Sequence, residues 1–64
     1  MNIVEEYETV IAGGLVSIVV SYEQDKPFPY YAVSTHNVDG AGKTLEEAKM
    51  KCEQATKMQI ITNL

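Results

Sequence analysis

The chain has no arginine, no tryptophan, one cysteine, one histidine, one phenylalanine and two prolines among 64 residues. Five lysines face nine acidic side chains, for a net charge of -4, so the basic balance of a strong nucleic-acid binder is missing. A single cysteine, Cys52, rules out an internal disulfide, the staple that a small extracellular domain usually needs. The expected compartment is therefore the cytoplasm. Long hydrophobic runs are also missing: the longest, Leu15 to Val20, is interrupted by Ser17 and is too short to cross a bilayer. The segment Met1 to Glu8 holds three glutamates and no basic residue, the opposite of a secretory or mitochondrial leader. The expectation is one small domain over residues 1–64. A chain of this size buries only about 60% of the surface its unfolded form exposes, which leaves little for an enclosed active site.

What is present is unevenly placed. Residues 1–42 carry Glu5, Glu6, Glu8, Glu23, Asp25 and Asp39 against Lys26 alone, a balance of -5, whereas residues 43–64 carry four lysines and three glutamates, a balance of +1. An acidic front half repels phosphate backbones. It suits solubility or a basic protein partner.

The clearest element is a C-terminal helix. Thr44 followed by Glu47 forms a capping box, in which the threonine hydroxyl accepts from the Glu47 N–H and the glutamate reaches back. Leu45, Ala48, Cys52 and Ala55 fall on one stripe, and Glu46/Lys49, Glu47/Lys51 and Glu53/Lys57 are helical ion-pair spacings with the acid first. The predicted helix runs from Leu45 to Lys57 or Met58. Beyond it, β-branched Ile60, Ile61 and Thr62 predict a short strand or a last frayed turn.

Upstream, Val16, Ile18, Val20 and Tyr22 alternate with Ser17, Val19 and Ser21 as in a half-buried strand. Gln24 to Pro29 is a turn or loop, and Tyr30 to Thr35 a second strand antiparallel to the first. Asn37 to Gly42, with Asp39-Gly40 and a second glycine, reads as a turn leading through at most a short further strand into the helix. Ile3 to Ala12 is open between two readings. As a helix it gathers Ile3, Val4, Tyr7, Val10 and Ile11 on one side, with Gly13 as its cap. As a strand it makes a hairpin through Gly13-Gly14, pairing Ile11 with Val16, Thr9 with Ile18 and Tyr7 with Val20. The β-branched and aromatic content of Ile3 to Ile11 favours the strand.

Antiparallel strands followed by Gly42-Lys43-Thr44-Leu45-Glu46-Glu47-Ala48 and an amphipathic helix resemble the small domain of HicB-type antitoxins, and Tyr31-Ala32-Val33-Ser34 is similar to that family's second strand. The resemblance spans Val16 to Met58 and implies a toxin-neutralising role by protein contact. Where the family has a proline-glycine turn, this chain has Asn37-Val38-Asp39-Gly40. Gly40-Ala41-Gly42-Lys43-Thr44 followed by Ala48-Lys49 is also similar to the last strand and helix entry of the double-stranded-RNA-binding fold. The lysine cluster that holds phosphates in that fold is replaced here by Leu45, Glu46 and Glu47, so the RNA-binding surface is absent.

Chemistry-bearing motifs are few. Gly42, Lys43 and Thr44 at a helix start form a candidate anion site, but the full phosphate-loop motif needs a glycine where Asn37 stands. His36 reads as a surface histidine at a strand end, and His36 with Cys52 matches no metal-ligand spacing. Cys52 reads as a small core residue, and Glu5, Glu6 and Glu8 as a solvated face. Rigid aromatics beside proline suit an interface, so Tyr22, Phe28, Tyr30 and Tyr31 are the candidate partner-binding residues, joined by Met50 on the outer side of the helix.

Taken together, these features predict an α+β fold: an antiparallel sheet of three or four strands packed by one C-terminal helix. The predicted function is a non-enzymatic protein-binding module without a cofactor, a HicB-like antitoxin fragment or a phage or mobile-element inhibitor. The alternatives are a degenerate nucleic-acid binder using Lys43, Lys49, Lys51 and Lys57, and a homodimer joined through a sheet edge or the aromatic loop.

Overall fold

A computed structural model describes residues 2–63. It shows an α+β fold of four strands and one helix: β1 (Asn2–Ile11), β2 (Gly14–Tyr22), β3 (Tyr30–Ser34), β4 (Asp39–Gly42) and α1 (Leu45–Thr62). All neighbours are antiparallel, in the order β1-β2-β3-β4, so β1 and β4 are the edges.

The N-terminal segment is a strand. Its hairpin register differs from the expected one by two residues: Ile11 pairs Gly14, Thr9 pairs Val16 and Tyr7 pairs Ile18. The turn is Ala12-Gly13, both at positive φ (51° and 82°), the backbone of a two-residue turn whose twist matches the flanking strands. Gly14 is thus a strand residue. Because the shift is an even number of residues, the same side chains still share the buried face. Ala12 holds its left-handed backbone at a cost of about 1 kcal/mol. Ala12→Asn is therefore expected to stabilise the chain by about that amount, measured as a raised urea midpoint with an unchanged m-value.

Between β3 and β4, the Asn37 N–H donates to the Ser34 carbonyl (3.0 Å) and the Ser34 N–H to the Val38 carbonyl (2.8 Å). Asn37 takes φ 60°, so the three-residue loop Thr35–Asn37 closes with a left-handed residue. β4 follows directly, and its two glycines face the helix. A Cβ on Gly40 would stand 2.5 Å from the Cys52 backbone nitrogen, and one on Gly42 would stand 2.7 Å from Glu47 Cβ. Bare backbone at these two positions lets α1 lie directly on β4, and the helix rests chiefly on β4 and β3.

The helix begins where expected. Thr44 Oγ1 accepts from the Glu47 N–H at 3.1 Å, while Glu47 Oε1 accepts from the Lys43 N–H at 2.7 Å, one residue before the cap. It continues to Thr62, past the expected end at Lys57 or Met58. Ile60 packs against the core cluster, so tertiary burial outweighs the β-preference of the last residues. The fully buried helix positions are Ala48, Cys52 and Thr56. Ala55 is only half-buried, and the inner stripe passes through Thr56 instead. That hydroxyl donates to the Cys52 carbonyl (2.8 Å) and is hydrogen-bonded with Ser34 Oγ (3.0 Å), so its burial leaves no polar atom unpaired.

The core lies between α1 and one face of the sheet. It consists of Ile11, Val16, Ile18, Val20, Ala32, Ala48 and Cys52, edged by Tyr7, Tyr30, Leu45 and Ile60. The alternate residues of the same strands point the other way; among the described residues no strand or helix packs over them, and of them only Ser21 is buried. Among the described residues, no helix is long and apolar enough to cross a membrane.

Candidate partner-binding site

Strand alternation assigns Glu6, Glu8 and Val10 of β1, Leu15, Ser17, Val19 and Ser21 of β2, Tyr31 and Val33 of β3, and Asp39 and Ala41 of β4 to the uncovered face. Val10 and Leu15 pair across the hairpin and are 68% and 67% exposed, so its tip carries two unburied aliphatic side chains side by side. Ile3, opposite Ser21 before the bulge that takes in Val4, is also largely exposed.

At the opposite end of this face the β2–β3 loop folds over the sheet. The Glu23 N–H donates to the Pro29 carbonyl (2.9 Å), extending the ladder by one pair, and Asp25 takes φ 68° to turn the chain. The loop and strands form an open cleft of about 380 Å³ lined by Ser21, Glu23, Lys26, Pro27, Phe28, Pro29 and Tyr31. Phe28 is 50% exposed, and Lys51 Nζ lies 5.6 Å from its ring centroid, within cation–π range. Tyr31 donates from Oη to Asp39 Oδ2 at 2.7 Å, which fixes the ring against the sheet; that bond, more than burial, raises the phenol pKa.

The predicted aromatic cluster is therefore divided by the sheet. Phe28 and Tyr31 line the cleft on the uncovered side. Tyr22 and Tyr30 pair across β2 and β3 on the helix side, half-buried with ring centroids 5.0 Å apart, and Tyr30 packs against the core. Met50 is exposed on the outer side of α1, away from the cleft, beside a shallow depression shared with Tyr7, Glu46 and Gln54. At the candidate anion site, Glu47 holds the Lys43 N–H with its own carboxylate, and Gly42 is packed against Glu47 and Ala48. The anion seated at this helix start is thus part of the chain itself.

Sequence reasoning missed one constellation, which ties β1 to the helix. Lys49 Nζ lies 2.9 Å from Glu5 Oε2 and 4.7 Å from the Tyr7 ring centroid, and Tyr7 Oη donates to Glu53 Oε2 at 2.5 Å. Burial, reinforced by the bond to Glu53, pushes the Tyr7 phenol well above its ordinary range, and the bond to Glu5 raises Lys49. Glu5 and Tyr7 sit on the helix side of β1, so their pairing with α1 sets them apart from Glu6 and Glu8 on the uncovered side. The alternation of β1 was the only signal in the sequence for this separation.

His36 is exposed at the β3–β4 turn. Cys52 is fully buried, its thiol donates to the Val38 carbonyl at 3.5 Å, and burial raises its pKa. A buried, protonated thiol is a poor nucleophile. Modification by a disulfide reagent at pH 8 is therefore expected to be slow in the native chain and to accelerate as urea unfolds it; rapid native labelling would place Cys52 at the surface. Among the described residues no group of three or more His, Cys, Asp or Glu side chains is placed to hold a metal. No family model, curated protein or solved structure matches the chain.

Proposed function

We propose that the chain is a non-enzymatic protein-binding module of the cytoplasm, acting by surface contact in the way the HicB-like resemblance implies, on a partner with basic character. The observation that carries this reading is the one-sided construction of the fold. The helix and the core cluster lie on one face of the sheet, while the other presents Val10 and Leu15 at one end, a Phe28/Tyr31 cleft at the other, and Glu6, Glu8 and Asp39 between and beside them. Exposed apolar side chains bordered by charge are the composition of interaction surfaces.

The lysines support the alternative nucleic-acid reading poorly. Lys49 is engaged by Glu5 and Lys51 lies over Phe28, which disperses the positive charge. A nucleic-acid surface would gather it.

The test is capture of partners from a lysate of the source cells on the immobilised chain, compared with a Leu15→Thr, Phe28→Ser variant. Both side chains are exposed, so the variant is expected to keep its circular dichroism and unfolding midpoint. The reading predicts a saturable protein partner that the wild type retains and the variant loses. Absence of any saturable partner, or equal retention by both chains, contradicts it.

A further inference from the structure

We propose that the outer edge of β1 receives an extended, basic strand of the partner, enlarging the sheet to five strands. This inference rests on the protein-binding reading and specifies how the partner is held.

Of the two sheet edges, β4 has four residues and β1 has ten, so β1 offers the long unpaired edge. The direction of its free backbone groups follows from its neighbours. The Thr35 N–H donates to the Ser17 carbonyl at 3.0 Å, so the Ser17 main chain is turned toward β3. Glu8 lies opposite Ser17, and a residue opposite such a position turns its own N–H and carbonyl away from the ladder. The same holds two residues to either side. Glu6, Glu8 and Val10 thus point their main-chain groups outward and their side chains onto the uncovered face.

Charge selects the occupant. Two copies meeting edge to edge in antiparallel fashion keep equivalent faces on the same side. The register that overlaps the whole regular stretch, residues 5–11, sets Glu8 against Glu8, and the next one toward the N-terminus sets Glu6 against Glu8. Like charges directly opposite one another destabilise a ladder, so the edge disfavours a second copy of the chain. Among the described residues neither carboxylate is paired with a lysine, whereas neighbouring Glu5 is held by Lys49. A partner strand running antiparallel to β1, with one apolar and then two basic side chains at alternate positions, would set an aliphatic group against Val10 and two cations against Glu8 and Glu6, while its main chain satisfies the outward groups.

The test uses the full chain and a blocked peptide, Thr-Val-Thr-Lys-Thr-Lys-Thr, with two controls in which the lysines are replaced by glutamine or by glutamate. Residue-resolved amide exchange is followed during titration. The proposal expects the lysine peptide to slow exchange at Glu6, Glu8 and Val10. It also expects a Glu6→Gln, Glu8→Gln variant, which removes exposed charges only, to bind the peptide about tenfold more weakly. Equal binding of the glutamine peptide, no binding of the lysine peptide, or concentration-dependent dimerisation that protects the same amides would overturn it. Binding that perturbs Phe28 and Tyr31 but leaves β1 unchanged would also overturn the edge assignment, and would leave the broader protein-binding reading standing.

Discussion

Gly40→Ala is expected to lower the free energy of unfolding by about 3 kcal/mol, and Gly40→Val to prevent folding. The added carbon would stand 2.5 Å from the Cys52 nitrogen and 2.9 Å from Lys51 carbon atoms, of which the backbone ones cannot rotate aside. Relief requires lifting α1 from β4, and lifting it opens the core cluster that Ala48 and Cys52 form with the strand residues. A domain of this length has only about 3–10 kcal/mol of stability in all, so the loss is a large fraction of it. Gly14→Ala is the control. A Cβ there meets nothing nearer than the Ile11 carbonyl at 3.8 Å, and its backbone is not left-handed, so the change is expected to stay within about 0.5 kcal/mol of wild type. Urea unfolding of both variants compares them directly; equal midpoints would show that the helix does not lie on β4 as described.

Ile18→Ala is expected to cost about 3–4 kcal/mol. Ile18 is the largest fully buried side chain and sits at the middle of β2, between Tyr7 of β1 and Ser34 of β3, beneath the helix. Its neighbours are strand residues fixed by ladders on both sides, so the vacated space cannot collapse readily. Val19→Ala, at the adjacent half-buried position on the uncovered face, is expected to cost well under half as much, since part of that surface is already in water. Thermal or urea unfolding of the pair gives the ratio. A ratio near one would mean that both faces of the sheet are equally covered.

The residues differ in how much they disclosed. The start of α1 was legible because a capping box is local chemistry: Thr44 and Glu47 act within one turn. The end of the helix was not, because Ile60 is helical for a tertiary reason, its contact with the core. Period-two alternation identified the buried face of β2 and, through an even shift, kept that of β1 correct although the turn was placed one residue too far along. Gly40 and Gly42 read as turn residues in sequence, yet they are strand residues whose missing Cβ atoms seat the helix. A close approach between two backbones has no signature in one dimension. The division of the aromatics by the sheet followed the same alternation: Tyr30 and Tyr31, adjacent in sequence, point to opposite faces, so proximity along the chain overstated their proximity in space.

The placement of charge has a similar explanation. The acidic excess of the first 42 residues is a compositional fact. Its partition is structural: Glu5 turns inward to Lys49, and Glu6 and Glu8 turn outward with the free edge of β1. One strand thus both ties the sheet to the helix through Glu5 and carries two acidic side chains, Glu6 and Glu8, on the uncovered face.

The measurement that tests the account most directly is a residue-resolved solvent footprint of the complex formed with a captured partner. The account predicts protection confined to the uncovered face and the outer edge of β1, at Glu6, Glu8, Val10 and Leu15 and in the cleft at Phe28 and Tyr31, with Met50 and Met58 on the helix unchanged. Protection centred on Met50 and Met58, with the uncovered face still open to solvent, would contradict it.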